Sequence, residues 1–449
     1  MTKPIPAPES GKLLRLAVPV IITYLGSMLM GLVDTLVVGQ YSSKELAGVA
    51  EGSGIFWTVT MIGVGYLAAM DPIVAQAHGA KDPKTALRCL AVALQQCLVF
   101  SLVAIPIVLF ISSHLAWTGA TADVVSAAEP FLKVHALSLL PFVLFQALQR
   151  YWQGMEVALP FTLIVLLSNI LNYILALAFV QGRWGFPAMG AEGVAWATLI
   201  VRVVGLLAAG MITASMWTKR PELRPAGIGL KNLVGRWDRL MQKQMLQLGF
   251  PASMHMSLEV CAFSLTTILI GRLGAQHLAT HQIVLNIASF AFMFPLGLSA
   301  ATATRVGYHI GRQDPHQAIH TSWLGIFLSM LIMSSSALVL FTFPEALLRI
   351  FTQDTEVIKL GVSIIFLCAL FQIFDGIQVV SAGALRGLGD TKTALYANLV
   401  AHWCLGLPIG LTLCFVLHKG LWGLWVGLAF GLFFTAVFNT YAILRRRLA

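Results

Sequence analysis

Charged residues are scarce in this chain. Only 11% of its 449 residues are Asp, Glu, Lys or Arg, against roughly 25% in a soluble domain. That supply cannot cover a water-facing surface on a protein that is 58% apolar, with a mean hydropathy of +0.82. Catalytic motifs are missing as well. There is no G-x-x-x-x-G-K-[ST] phosphate loop, which excludes ATP hydrolysis by this chain. Gly387-Leu388-Gly389-Asp390 resembles a nucleotide loop only superficially, since no strand precedes it. Neither an H-E-x-x-H metal helix nor a G-x-S-x-G nucleophile elbow is present, so no enzyme is indicated and no metal cofactor is expected. Cys89, Cys97, Cys261, Cys368, Cys404 and Cys414 show no C-x-x-C spacing and read as reduced core residues. No cleavable signal is expected either: residues 1–12 are short and Pro-rich, and the run that follows carries Asp34.

What is present is apolar length. About 20 apolar residues cross a hydrocarbon core as a helix, because only a helix satisfies its own backbone there. Twelve such runs are found, at roughly 14–39, 52–76, 90–112, 130–150, 160–180, 190–216, 246–272, 280–304, 320–343, 358–382, 393–416 and 421–444. The expected fold is an all-α integral membrane protein with twelve transmembrane helices. A net charge of +10 invites a nucleic-acid partner, but its distribution argues otherwise. Lys44, Lys133, Arg183, Arg272, Arg349, Lys359 and Lys419 fall on one side, Arg202 falls within a span, and the remaining 21 Lys and Arg fall on the other side. That asymmetry is an orientation signal and predicts both termini in the cytoplasm, with membrane lipid as the second contact of the basic residues. The long connection 217–245 carries seven of these cations, and Leu233, Trp237, Leu240 and Met241 near one face predict an interfacial amphipathic helix or a solvated tether.

The chain is also written twice. Shifted by 232 positions, Leu16-Ala17-Val18-Pro19 meets Leu248-Gly249-Phe250-Pro251, Gly39 meets Gly271, and Gly79-Ala80-Lys81-Asp82-Pro83 meets Gly311-Arg312-Gln313-Asp314-Pro315. Near an offset of 233, Gln153-Gly154 meets Arg386-Gly387. Six spans per copy return the second copy to the same side of the membrane. The expected organisation is therefore an N-terminal lobe over 1–216, a cytoplasmic linker over 217–245 and a C-terminal lobe over 246–449, related by an axis along the membrane normal. Two similar bundles that rock about a cleft imply transport without naming a cargo. Gly423, Gly427 and Gly431 form a small-residue stripe that marks close helix packing.

Three acids lie deep in the spans: Asp34, Glu259 and Asp375. A carboxylate at mid-bilayer costs about 2.5–3.5 kcal/mol, so each needs a reason to be there. Carboxylates can load and release a proton, and with neighbouring hydroxyls or amides they also suit sodium. The competing reading is a structural acid neutralised by a buried cation, for which Arg202 and His402 are the nearest candidates. The repeat argues for function. Asp34 corresponds to Thr266, Glu259 to Ser27 and Asp375 to Phe142, and a structural need of the fold would recur in both copies.

Met30-Gly31-Leu32-Val33-Asp34-Thr35, Val74-Ala75-Gln76-Ala77-His78-Gly79-Ala80, His281-Gln282-Ile283-Val284-Leu285-Asn286 and the stretch Gln378–Gly387 resemble the multidrug and toxic compound extrusion (MATE) family, with the NorM-type bacterial branch nearest. The resemblance covers nearly the whole chain. It implies export of cationic or amphipathic drugs in exchange for protons or sodium, from the bacterial inner membrane, by a chain that works as a monomer. It assigns Asp34 to ion coupling in the first lobe, and Glu259 and Asp375 to cation binding in the second. Asn172 and Thr198 resemble polar partners of Asp34. Gln282, Asn286 and Gln378 are candidates to support substrate or ion, or else simple interhelical hydrogen bonds. Pro19 falls where the family's first helix can bend, and a helix proline frees a carbonyl to allow it.

Departures from that pattern bear on the ion. Phe371 stands where a tyrosine is expected in sodium-using relatives, and Ser168 where an asparagine is expected. Both changes remove oxygen ligands and favour protons over sodium, whose site would otherwise be Glu259 with Asp375. Arg202 is unexpected and either pairs with an acid or reaches toward the interface, while Asp71 matches an acid of eukaryotic relatives. A lipid-linked precursor flippase of the same superfamily is the alternative, but a pyrophosphate cargo calls for a cationic cavity.

Overall fold

In the computed structural model, residues 8–219 and 237–448 are described, and among them the chain is helical with no strand. The helices are α1 (Glu9–Tyr41), α2 (Ser43–Leu67), α3 (Met70–Gly79), α4 (Pro83–Ser112), α5 (Ala122–Leu137), α6 (Leu139–Gly154), α7 (Leu159–Gln181) and α8 (Ala191–Lys219). After the linker come α9 (Arg239–Gly271), α10 (Ala275–Gly311), α11 (Pro315–Thr342), α12 (Pro344–Arg349), α13 (Thr355–Gly387), α14 (Lys392–Val416) and α15 (Gly420–Leu448).

Among the described residues, eleven segments are long and apolar enough to cross a membrane, α2 and α3 counting as one, and the pair α5–α6 makes a twelfth with a 43° bend. The bend falls inside the run expected at 130–150. Ser138 lies between the two helices, and its Oγ donates to the His135 carbonyl at 2.6 Å. A serine hydroxyl that competes for a helix carbonyl in this way bends a helix.

The chain forms two compact units. One is Ile22–Gln247; the other joins Met1–Ile21 to Leu248–Ala449. Both divisions fall inside helices: α1 changes unit just after Pro19 and α9 just before Pro251. In the second unit α13 is the central helix, packed on α10, α11 and α15. Its core is built from Ile365, Phe371, Trp425, Leu428 and Leu432. Helices α14 and α15 meet backbone to backbone, as the glycine stripe implies. A Cβ on Gly427 would lie 2.5 Å from the Gly410 Cα.

The duplication extends to backbone angles. Lys81 and Gln313 are both left-handed, at φ 57° and 58°. Each precedes an aspartate, Asp82 or Asp314, whose carboxylate accepts backbone N–H bonds at the start of the next helix. Likewise Gly154 lies against Val74, and its counterpart Gly387 against Val306.

The amphipathic reading of the linker starts at Leu233, which lies outside the described residues. Cys89, Cys97, Cys368 and Cys414 are buried, but Cys261 and Cys404 are exposed on their helices and are not core residues.

Candidate functional site

Each unit holds its own carboxylate centre. In the first, Asp34 sits half-buried about two turns before the end of α1. Asn172 Nδ2, from α7, donates to Asp34 Oδ1 at 2.6 Å, and Thr198 Oγ1, from α8, donates to Oδ2 at 3.5 Å. Asn172 and Thr198 are almost wholly buried, so both donors are held in place. The sequence brought these three residues together as candidates, and the structure puts them in contact.

Arg202 lies one turn beyond Thr198 on the same face of α8, within electrostatic range of Asp34. Its Nη1 donates to Ser138 Oγ at 2.7 Å. The guanidinium carbon lies 5.0 Å from the Phe56 ring centroid and 4.7 Å from that of Phe142. A cation over two aromatic faces is attracted by their quadrupoles, by about 0.5–2 kcal/mol per face. His135 closes the cluster, edge-on to Phe56 at 4.2 Å and stacked on Phe131 at 4.9 Å. Arg202 is thus caged inside the unit. Ser138 and Phe56 went unnoticed in the sequence, and Phe142 stood out only as the counterpart of Asp375, because a serine at a helix break and phenylalanines in apolar runs carry no signal there.

In the second unit, Gln378 joins two acids. Its Nε2 donates to Glu259 Oε1 of α9 at 2.9 Å and to Asp375 Oδ1 of α13 at 3.3 Å. Two carboxylates converging on one amide bring like charges together in a poor dielectric, a repulsion that a proton or a cation relieves. Phe371, one turn before Asp375, packs against Phe263 and Trp425 and offers no oxygen. Gln282 and Asn286 of α10 are exposed, and neither is hydrogen-bonded to the acid pair.

Asp71 is engaged elsewhere. Arg150 Nη1 donates to its Oδ1 at 2.8 Å and its Oδ2 at 3.0 Å, with the aspartate side chain buried. This is a closed structural ion pair in the first unit, apart from Asp34. No group of three or more His, Cys, Asp or Glu that could hold a metal occurs among the described residues.

The MatE family model matches residues 19–178 and 251–412, one stretch in each copy of the repeat. The chain belongs to the MatE family. MatE proteins are transporters, and this multi-pass membrane chain is a transporter and not an enzyme. Among MatE relatives it is similar to the probable multidrug resistance protein NorM of Pseudomonas putida, 32% identical over 441 residues, which are 97% of this chain and 94% of that protein. It is equally similar to the multidrug resistance protein NorM of Photobacterium profundum, 32% identical over 446 residues, 96% and 94% of the two chains. Among solved structures, a eukaryotic MATE transporter superposes with a TM-score of 0.87 over 97% of this chain and 95% of its own, at 22% identity. That likeness carries the fold.

Proposed function

We propose that this protein is a secondary active multidrug efflux antiporter that exports cationic or amphipathic compounds in exchange for protons. The observation that carries the reading is the pair Glu259 and Asp375 on the single amide of Gln378. An acid pair inside apolar helices is costly unless it is used, and loading a cation there removes the repulsion that keeps it costly. The relatives' names supply the multidrug part, and the acids supply the affinity for cations.

Protons fit the surroundings of the pair better than sodium. Sodium needs several oxygens around it, whereas here Gln378 directs N–H at both carboxylates and Phe371 fills the next turn with a ring. Asp34 forms the second coupling centre, with Asn172 and Thr198 holding its carboxylate. The orientation follows the basic residues, with both termini in the cytoplasm of a bacterial inner membrane and a monomer as the working unit.

The test is reconstitution into vesicles with a fluorescent cationic dye, under an imposed pH gradient and then an imposed sodium gradient. Efflux driven by the pH gradient alone, and lost in Asp34→Asn, is expected. Efflux driven by sodium alone would overturn the choice of ion. No response to either gradient would bring forward the flippase.

A further inference from the structure

A set of buried polar side chains in the second unit takes no part in the carboxylate centres described so far. On α9, His255 lies one turn from Glu259; on α14, Asn398 and His402 are one turn apart; on α15, Thr435 and Asn439 are one turn apart. Spacings of four residues put each pair on one helix face. The faces meet. Asn439 Nδ2 donates to the Gln378 carbonyl at 3.5 Å, and Thr435 Oγ1 lies 3.4 Å from His402 Nδ1. Trp403 Nε1 donates to the Leu258 carbonyl at 3.3 Å, joining α14 to α9. His255 is within electrostatic range of both His402 and Arg386.

These side chains are at least nine-tenths buried: His255 is 8% exposed, His402 1%, and Asn398, Asn439 and Gln378 0%. Yet His255 Nε2, His402 Nε2, both polar atoms of Asn398, Asn439 Oδ1 and Gln378 Oε1 have no protein hydrogen-bond partner. Each unpartnered polar atom costs about 1–3 kcal/mol, and native interiors leave few. Their gathering on facing helices calls for a small occupant that both donates and accepts, which is water. The backbone of α14 supports this. Residues Leu399–Gly406 form a π-helical stretch around His402, ahead of Pro408, which has no N–H to give. Such wide turns recur at functional sites.

We propose that these side chains hold a file of water that carries protons between the Glu259–Asp375 pair and the end of the unit bearing Asp390 and Arg446. This rests on the reading of the proton as coupling ion. A carboxylic O–H passes its proton to the adjacent water, and each water accepts one proton and gives up one. An imidazole accepts on one nitrogen and releases from the other, so no ion heavier than a proton moves along the file. The titratable and charged groups that face it are Glu259 and His255 from α9, Asp375 and Arg386 from α13, and His402 from α14. From α15 it is faced by the neutral Thr435 and Asn439, and at its end by Arg446, which pairs with Asp390.

Hydroxyl-radical footprinting of the full chain in lipid nanodiscs, read by mass spectrometry, reports water beside a side chain. His255 and His402 should be oxidised far faster than His135, which is walled by Phe56 and Phe131, and should approach exposed His418. Rates equal to that of His135 would overturn the file. In vesicles, Asn398→Leu combined with His402→Phe should slow efflux driven by a pH gradient about tenfold or more, with the dye dissociation constant unchanged. His402→Gln alone, which keeps polar atoms in place, should slow it less and shows that folding is intact. Undiminished efflux in the apolar pair, alongside a wild type that responds to the pH gradient, would sink this inference alone. A wild type blind to the pH gradient would sink the coupling-ion reading, and proton carriage with it, whatever the footprint shows.

Discussion

At the scale of single residues, the most exacting contact is the 2.6 Å bond from Asn172 to Asp34. A hydrogen bond to a charged group contributes about 1.5–3 kcal/mol, and each 1.4 kcal/mol is about tenfold. Asn172→Ala should therefore cut coupled dye efflux by about tenfold to a hundredfold, while Thr198→Ala, whose bond is 3.5 Å long, should cost much less. Comparing the two initial rates checks the order. Arg202 offers a second test. It places a fixed cation over Phe56 and Phe142 near Asp34, where it competes electrostatically with any cationic substrate that Asp34 attracts. Arg202→Gln should lower the KM for a monovalent cationic dye and leave that for a neutral amphipath unchanged; equal shifts for both would refute the competition. The three acids were legible in the sequence because charge is rare and costly in an apolar helix. Gln282 and Asn286 stood beside them as supporting candidates or simple interhelical hydrogen bonds, and both are exposed on α10. His255, Asn398 and Asn439 were illegible, because a lone polar residue in a span matters only once the faces of four helices are brought together.

At the scale of helices, α1 and α9 each begin in one compact unit and finish in the other. An ion pair anchors each beginning. Arg305 Nε and Nη2 donate to the two Glu9 oxygens at 2.8 and 2.7 Å, with His309 Nε2 at 3.1 Å from Oε1. Beyond this anchor Gly297 admits the backbone of α1, since a Cβ there would stand 2.8 Å from Ile21 N. Arg305 is 2% exposed, and leaving a buried charge unpaired costs about 3–5 kcal/mol. Glu9→Gln should lower the melting temperature in detergent, and Glu9→Gln with Arg305→Met should recover much of the loss; no recovery would show that the pair does more than neutralise itself. At the start of α9, Asp238 is held below the usual carboxylate range, first by the Met241 N–H and then by Arg88. A lowered carboxylate stabilises the fold above its unfolded value of about 3.9 and loses that effect as pH falls through the folded value. This anchor is therefore intact from pH 5 to 8 (roughly the range where transport would be assayed), and Asp238→Asn should leave the shape of the pH–rate profile unaltered across it.

At the scale of the whole chain, duplication fixed the scaffold and left the chemistry unequal. The paired left-handed turns at Lys81 and Gln313, and the paired glycine contacts at Gly154 and Gly387, recur because both copies make the same turn and the same helix crossing. That is why the twelve spans and the repeat could be read from the sequence. The positions where α1 and α9 change units could not, because exchange of a helix start leaves no mark on hydropathy. The acids do not recur. Where the second unit has Asp375, the first has Phe142, the ring beneath Arg202. The first centre is thus one carboxylate balanced by one arginine, and the second is two carboxylates without an arginine in contact. The unbalanced centre is the one that needs a cation from solution, so cation loading should be separable from substrate binding. Glu259→Gln with Asp375→Asn removes the repulsion that drives loading, and leaves Asp34 with its Asn172 and Thr198 donors untouched. In vesicles this double variant should lose efflux driven by a pH gradient yet still exchange labelled for unlabelled dye at equal concentrations. Loss of exchange as well, with dye binding gone in detergent, would mean that the second centre binds the substrate itself and that the two functions share one pair of acids.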